Sequence, residues 1–400
     1  MKDILIIAHF TQAPNEKGNG RFHYLAEKIS EQNAKVEIVT TSFSHRTKLQ
    51  RNITKGQQAS VTYNFTMLHE PGYKKNVSLS RFYSHYIFGK NLKQYLKKRK
   101  KPDVIYCAIP SLDAAKVAAT YAKENNIKYI IDVQDLWPEA FKMVFNVPVI
   151  SNTIFYPMER KADFIYSQAD EIIAVSNTYS NRALKVNKKC INAHSIFLGT
   201  DLANFDTMAK GKSSLDKPSG EVWLVYLGTL GHSYDINLVI DALKILKDKG
   251  HKDIKFIVLG DGPLRLRFEN YSKKKDIKAE FTGRLEYGEM VGILQQCDIA
   301  VNPISQGAAQ SIINKHGDYA AAGLPVLNTQ ESTEYRNLVD EYQMGFNCKS
   351  NDPEDLANKL LQLYDDLSLR ESMGNNSRKL AEDKFNRIIT YEKIVNAIFN

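Results

Sequence analysis

Ile4-Leu5-Ile6-Ile7-Ala8, Gly18-Asn19-Gly20, a stretch with Phe22, Leu25, Ala26 and Ile29, and Val36-Glu37-Ile38-Val39 follow one another at the start of the chain. The first is an unbroken apolar run of strand length. Unbroken apolarity, as opposed to alternation, is what a strand covered on both faces requires. The glycines predict a turn, the spacing of 22, 25, 26 and 29 predicts a helix with one apolar face, and 36–39 predicts a second strand. Strand, loop, helix and strand make the βαβ unit of a parallel sheet.

The rhythm recurs. Strands are expected at 104–108, 129–133 and 171–175, with helices at 112–123 and about 153–168 between them. A polar stretch rich in Lys, Ser, Gly and Pro, 207–220, predicts a linker. Beyond it strands are expected at 222–227, 256–259, 277–282, 299–302 and 325–327. A last helix, 378–399, carries Leu380, Phe385, Ile388, Ile389, Ile394 and Ile398 as an apolar stripe. The expected fold is α/β, two Rossmann-like doubly wound domains facing across a cleft. The expected boundaries are 1–205 and 206–379, with a C-terminal helix 380–400 packing back on the first. Ligands of such sheets bind beyond the carboxyl ends of the strands, so the loops there are the place to look for chemistry.

Composition agrees with that size. The 400 residues are 43% hydrophobic and 25% charged, an ordinary globular mixture and enough chain for two cores. No apolar run approaches the ~20 residues of a membrane span. The start lacks the apolar region and cleavage site of a signal peptide, so a cytoplasmic location is expected. Cys107, Cys190, Cys297 and Cys348 are scattered, which fits reduced thiols and offers no zinc motif. The charge is asymmetric: residues 1–200 hold 29 Lys and Arg against 16 Asp and Glu, whereas 201–400 hold 25 against 29. An anionic partner of the first half is one reading and a solvated basic surface is the other.

Residues 310–325 read Gln-Ser-Ile-Ile-Asn-Lys-His-Gly-Asp-Tyr-Ala-Ala-Ala-Gly-Leu-Pro. A helix opening near Ser311 would offer free N–H groups to an anion, with Lys315 one turn in. Asp318 would then be placed to accept two ribose hydroxyls. The competing reading is an ordinary capped helix with Asp318 in solvent.

With Ala321, Gly323 and Pro325, this segment resembles the donor-site helix of family-4 retaining glycosyltransferases of the GT-B fold, capsule and O-antigen branch. In that resemblance Asp318 stands for the ribose-binding Glu. Gln310 stands for the Glu that contacts the donor sugar, and this departure removes a charge. Ser311, Ile312, Asn314 and Lys315 complete the segment. Gly18-Asn19-Gly20-Arg21 resembles the glycine-rich first loop, and without a third glycine at the required offset it is not the dinucleotide fingerprint. Asp132-Val133-Gln134-Asp135-Leu136-Trp137-Pro138 resembles the strand-end motif near the reacting carbon, with Asp135 an acceptor-orienting carboxylate or an Asx turn. Glu159, Asp170 and Ser176 fit a following structural pattern. Gly228-Thr229-Leu230-Gly231-His232 fits the first donor-domain loop, with Thr229 and Tyr234 where relatives carry Arg and Lys. Charge compensation for the diphosphate would then come from Lys315, from the backbone amides of 228–231 or from Arg265. Gly260-Asp261-Gly262-Pro263 and Gly283-Arg284-Leu285 match the loops that flank the nucleotide base.

What the resemblance implies is a metal-independent retaining hexosyltransferase with no cofactor. It would move a sugar from a nucleoside diphosphate, UDP in most relatives, to a polyprenyl-diphosphate-linked glycan in capsular or O-antigen polysaccharide synthesis in bacteria. No Asp-x-Asp occurs anywhere in the chain, so the metal-binding pair of the other large transferase class is missing. Catalytic candidates are Asp135, Gln310 and His232. His9 and His316 are weaker, since a lone histidine is more often structural. Two alternatives remain: a UDP-sugar 2-epimerase of the same fold, and a non-catalytic partner subunit.

Residues 90–101 carry seven cations, preceded by Phe82, Tyr83, Tyr86, Ile87 and Phe88. An amphipathic helix near 81–101 lying on an anionic membrane surface is expected. The other possibility is a solvent face of a helix packed through Leu92, Tyr95 and Leu96. Nucleic acid is not expected, because no binding module accompanies the patch.

Overall fold

The computed structural model describes residues 1–16, 20–51, 61–76, 78–144, 148–190, 192–211, 213–308 and 312–400. The chain divides into two compact units. One comprises Met1–Ile196 with Tyr391–Asn400, the other Phe197–Thr390.

The first unit is built on β1 (Asp3–Ile7), β2 (Lys35–Thr41), a hairpin of β3 (Phe43–Ser44) and β4 (Leu49–Gln50), β5 (Asn64–Leu68), β6 (Val104–Ile109), β7 (Lys128–Val133), β8 (Glu171–Ala174) and β9 (His194–Ser195). Its seven-stranded sheet runs β5-β2-β1-β6-β7-β8-β9. Every pair in it is parallel, with Ile6 beside both Ile38 and Tyr106. Successive residues of β1 serve opposite layers. Leu5 and Ile7 pack with Phe88, Leu92 and Ala115, while Ile4 and Ile6 pack with Phe22, Leu25 and Ile394. That two-sided burial is the cause of the unbroken apolar run.

The second unit repeats the plan with β10 (Val222–Leu227), β11 (Ile254–Leu259), β12 (Ala279–Gly283), β13 (Ile299–Asn302), β14 (Val326–Asn328) and β15 (Gly345–Asn347). Its order is β12-β11-β10-β13-β14-β15, again all parallel. Trp223 and Val225 face one layer, Val222, Leu224 and Tyr226 the other. In both sheets the order reverses beside the first strand, the position where doubly wound folds bind ligands.

Two expectations are corrected. The division falls at 196/197 and not at 205/206, because Leu202 and Phe205 of the helix Leu202–Ala209 are buried in the second unit's core. The last helix is not continuous from 378 to 399. Helix Leu367–Leu380 passes into a π-helical turn at Ala381–Phe385, then the chain extends at Asn386. There Thr200 N–H donates to Phe385 O at 2.7 Å and Arg387 N–H to Thr200 O at 3.2 Å. The Asn386 side chain accepts from Ile388 N–H, a local bond that competes with the helix. Ile388 and Ile389 are consequently exposed, whereas Leu380 and Phe385 stay in the second unit's core. Tyr391, Ile394, Ala397 and Ile398, with the partly buried Val395 and Phe399, pack on the first.

The basic helix forms as Leu79–Lys98. Its apolar face is occupied: Phe88, Leu92 and Leu96 are in the core against the helix Leu112–Asn125. Its outward face is a line of Leu79 (86% exposed), Tyr83 (59%), Tyr86 (57%), then Lys90, Lys93 and Lys97. The core-packed reading holds for the inner face, and the cations lie on the outer one. No helix among the described residues is long and apolar enough to cross a membrane.

Candidate functional site

In the second unit the loops at the carboxyl ends of β10 and β11 meet backbone to backbone. Gly260, at φ +146°, lies so close to Gly228 that a Cβ would sit 1.9 Å from its carbonyl oxygen. A Cβ on Gly262 would be 2.4 Å from Leu230 O. Only glycine permits both approaches, so the motifs 228–232 and 260–263 act first as a packed pair of turns.

Lys315 lies beneath them. The helix expected to open near Ser311 begins at Asn314, because Ile313 is extended and its N–H is capped by His316 Nδ1 at 3.3 Å. Gly317 lets this helix press on the chain, since a Cβ there would be 2.7 Å from Thr200 Oγ1. The Lys315 side chain turns inward and is only 6% exposed. Its Nζ stands 4.3 Å from the ring centre of Tyr226 and 4.0 Å from that of Tyr234. The two rings meet edge to face, and Tyr226 is fixed by donating its hydroxyl to Thr229 O at 2.8 Å. Among the described residues Lys315 Nζ has neither hydrogen-bond nor ion-pair partner. Burial holds its pKa well below the ordinary lysine value. An ammonium with only π-faces for company is under-compensated, and a Cβ on Gly228 would lie 3.6 Å from it.

Asp318, one turn further and partly open, accepts a hydrogen bond from Tyr287 OH at 2.8 Å. Burial raises its carboxyl to about 6, against the hydrogen bond from Tyr287 and the charge of Arg387. Arg265 donates to Glu269 and to Phe281 O and lies against Gly283. Its guanidinium is therefore committed to the rim of β12. Arg284, Thr229, His232 and Asn314 are exposed. Thr229 and His232 are used here through their carbonyls, His232 O taking Ser305 Oγ. The Ile312 side chain is buried in the core, leaving its backbone alone for a ligand. Gly18, Gln310 and Ser311 lie outside the described residues.

In the first unit Gly20 is left-handed (φ 67°) at the head of the helix Arg21–Glu31. Asp135, at the end of β7, accepts from Leu136 N–H and Trp137 Nε1. Neither bond is the one to the Trp137 backbone N–H that an Asx turn requires; the carboxylate is instead clamped by its neighbour's N–H and the indole. Desolvation raises the Asp135 pKa despite these bonds and the charge of Arg81. Reading the sequence missed a buried cluster around His9, whose ring nitrogens meet Ser111 Oγ at 2.6 Å and Glu70 Oε1 at 3.0 Å. Ser84 donates to the other Glu70 oxygen at 2.8 Å. Burial would raise the Glu70 carboxyl, but the bond and charge of His9 and the Ser84 hydroxyl hold it below the usual value.

Comparison with known proteins accords with this architecture. Over the whole chain the fold matches solved GT-B structures. Sucrose-phosphate synthase from Thermosynechococcus elongatus gives a TM-score of 0.73 at 16% identity, covering 100% of this chain and 98% of that one. The Anabaena protein Alr3699/HepE in complex with UDP gives 0.70 at 14%, covering 100% of both. The family model described as Glycosyltransferase Family 4 matches residues 21–203, and that described as Glycosyl transferases group 1 matches 208–380. The two halves of the chain are thus each similar to a glycosyltransferase domain, and the fold is that of the GT-B glycosyltransferases. An uncharacterized glycosyltransferase of Methanocaldococcus jannaschii, MJ1178, is 26% identical over 43% of this chain and 45% of its own. The capsular polysaccharide biosynthesis glycosyltransferase CapM of Staphylococcus aureus is 23% identical over 74% of this chain and 76% of its own. The chain spans 45% to 66% of the length of the first three curated relatives it matches.

Proposed function

We propose that the protein is a retaining, metal-independent glycosyltransferase. Its donor would be a nucleoside-diphosphate sugar, UDP-linked hexose or N-acetylhexosamine. Its acceptor would be a polyprenyl-diphosphate-linked glycan of capsular or O-antigen polysaccharide synthesis. The observation that carries the reading is the caged Lys315 ammonium, buried without a partner beside Gly228. A donor diphosphate supplies the anion this ammonium lacks, and Asp318 is the carboxylate for the ribose. Transfer needs the bond from the anomeric carbon to the diphosphate oxygen to break while the acceptor oxygen bonds the same face. The acceptor proton passes to the leaving phosphate, and Lys315 stabilises the charge that develops there. The capsule-synthesis relative supports the acceptor class. The outward line of Leu79, Tyr83, Tyr86, Lys90, Lys93 and Lys97 supports peripheral attachment to an anionic cytoplasmic membrane face.

Purified protein, a lipid-linked acceptor and a panel of UDP-, GDP- and dTDP-sugars test this, and no transfer from any of them sinks it. Epimerised nucleotide sugar appearing without acceptor, read by NMR, would replace it with the 2-epimerase. Asp318 gives a second check. Its carboxylate accepts hydroxyls only when ionised, so affinity for the donor should fall as pH drops through about 6. Asp318→Asn should weaken binding by about ten- to a hundredfold, the range for hydrogen bonds to a charged group, and flatten that pH dependence. Calorimetric titration between pH 5 and 7.5 reads both. Unchanged affinity would remove Asp318 from the site.

A further inference from the structure

A second group of cations gathers in the first unit, at the carboxyl ends of β1, β2, β5 and β7. Lys48, in the turn of the β3–β4 hairpin, places Nζ 4.7 Å from the centre of the Tyr73 ring, and Arg81 places its guanidinium carbon 5.5 Å from the same centre. Arg81 also lies 4.6 Å from the Trp137 ring and 5.7 Å from Phe10. His45 bonds Tyr73 OH through Nδ1 and touches Lys48 Nζ at 3.3 Å. His85, only 2% exposed, stacks on Trp137 and meets Tyr73 edge-on, and its Nε2 has no hydrogen-bond partner.

No carboxylate pairs with Lys48, Arg81 or His45 among the described residues. The two within electrostatic reach are engaged elsewhere, Asp135 by Leu136 and Trp137, Glu70 by His9 and Ser84. The contacts the cations do have are neutral. Lys48 donates to Asn76 Oδ1 and Arg81 to Asn76 O, while Arg81 Nε is buried and unbonded. The groups therefore repel one another. Desolvation, then Lys48 and Arg81, pushes His45 down to about 4, and desolvation with Arg81 lowers Lys48. Lys48, His45 and Arg81 are half-exposed, so the group is open to a ligand. Such an arrangement costs free energy when empty and recovers it when an anion arrives.

The geometry points to a phosphate-binding subsite formed by Lys48, Arg81 and His45 over the Tyr73, Phe10 and Trp137 rings. It takes the diphosphate end of a prenyl-linked acceptor. The acceptor role rests on the transferase reading; the binding chemistry does not. Two flexible or planar cations answer a diphosphate's charge, and the aromatic floor accepts the first isoprene unit.

The test is equilibrium binding of geranyl diphosphate to the full chain, followed by tryptophan fluorescence and needing no turnover. Wild-type protein should bind it at least tenfold more tightly than geraniol, with inorganic pyrophosphate competing. Lys48→Met, on a half-exposed turn, and Arg81→Met should each lower affinity at least tenfold, with folding confirmed by circular dichroism, and Lys48→Arg should retain it. Equal affinity for geraniol, or unchanged affinity in both Met variants, overturns the subsite. So does a loss on phosphatidylglycerol vesicles as large as on geranyl diphosphate, since the cations would then serve a lipid surface. Should sugar transfer never be detected, binding that responds to Lys48 still stands as an anion site.

Discussion

Lys315→Met should lower transfer by about a hundred- to a thousandfold in kcat, the effect of deleting one preorganised donor from a developing oxyanion, while raising the thermal midpoint. The opposed signs come from one cause. In the free protein the Lys315 ammonium is buried between Tyr226 and Tyr234 without a partner, so removing it relieves an unmet desolvation cost. In the proposed complex the donor diphosphate lies at the Gly228 turn, where a Cβ on Gly228 would be 3.6 Å from this ammonium, and Met offers no charge. The pH dependence distinguishes this from simple repacking. The folded pKa of Lys315 lies well below 10.5, so between that value and 10.5 the unfolded chain binds the extra proton. Wild-type stability must therefore rise with pH across that window, and the rise must shrink in Lys315→Met. Donor binding opposes the shift, so complex formation should take up a proton at pH values between the lowered pKa of free Lys315 and its value in the complex. Calorimetry in two buffers of different ionisation enthalpy measures it. Loss of activity with a lowered midpoint and no proton uptake would make Lys315 a structural residue.

That cage also marks how far the sequence could be read. Strands buried on both faces, such as β1 and β10, are written as unbroken apolar runs, so the central strands were legible, whereas the edge strands β5, β9 and β15 carry no such run and were not expected. The Lys315 and Asp318 positions were legible through the motif around them. The cage itself was foreshadowed only by Tyr234 standing where relatives carry a cation. The start of the helix at Asn314 was not visible, since Ile312 goes to the core and Ile313 stays extended for tertiary reasons. Asn386 broke the last helix by pairing its neighbours with Thr200, a residue distant in sequence. The His9 cluster depends on partners 61 and 102 positions away. The Lys48 and Arg81 group is hidden for the same reason. Both cations look like solvated surface until the hairpin and the helix Leu79–Lys98 bring them to one tyrosine.

Asp132→Ala should destabilise the first unit by about 3–5 kcal/mol, the cost of leaving a buried charge without its partner. Asp132 is fully buried and holds Arg21 with both oxygens, at 2.8 and 3.2 Å, while accepting from Tyr106 OH at 2.8 Å and Gln134 Nε2 at 3.2 Å. Arg21 is the first residue of the helix after Gly20, and it also donates to Tyr391 OH at 2.8 Å, stacking over that ring. One ion pair thus ties the start of the helix Arg21–Glu31, strand β7 and the returning C-terminal segment. For a unit of this size the loss corresponds to a fall on the order of 10 °C in its unfolding transition. The segment from Tyr391 should become sensitive to limited proteolysis before the rest unfolds. Arg21→Met combined with Asp132→Leu should recover most of the stability, because the pair's desolvation cost disappears along with its attraction. A double-mutant cycle followed by calorimetry decides the matter. If the single losses simply add in the double variant, Arg21 and Asp132 act independently, and the tie between turn, sheet and C-terminus must be sought in packing around Tyr391 instead.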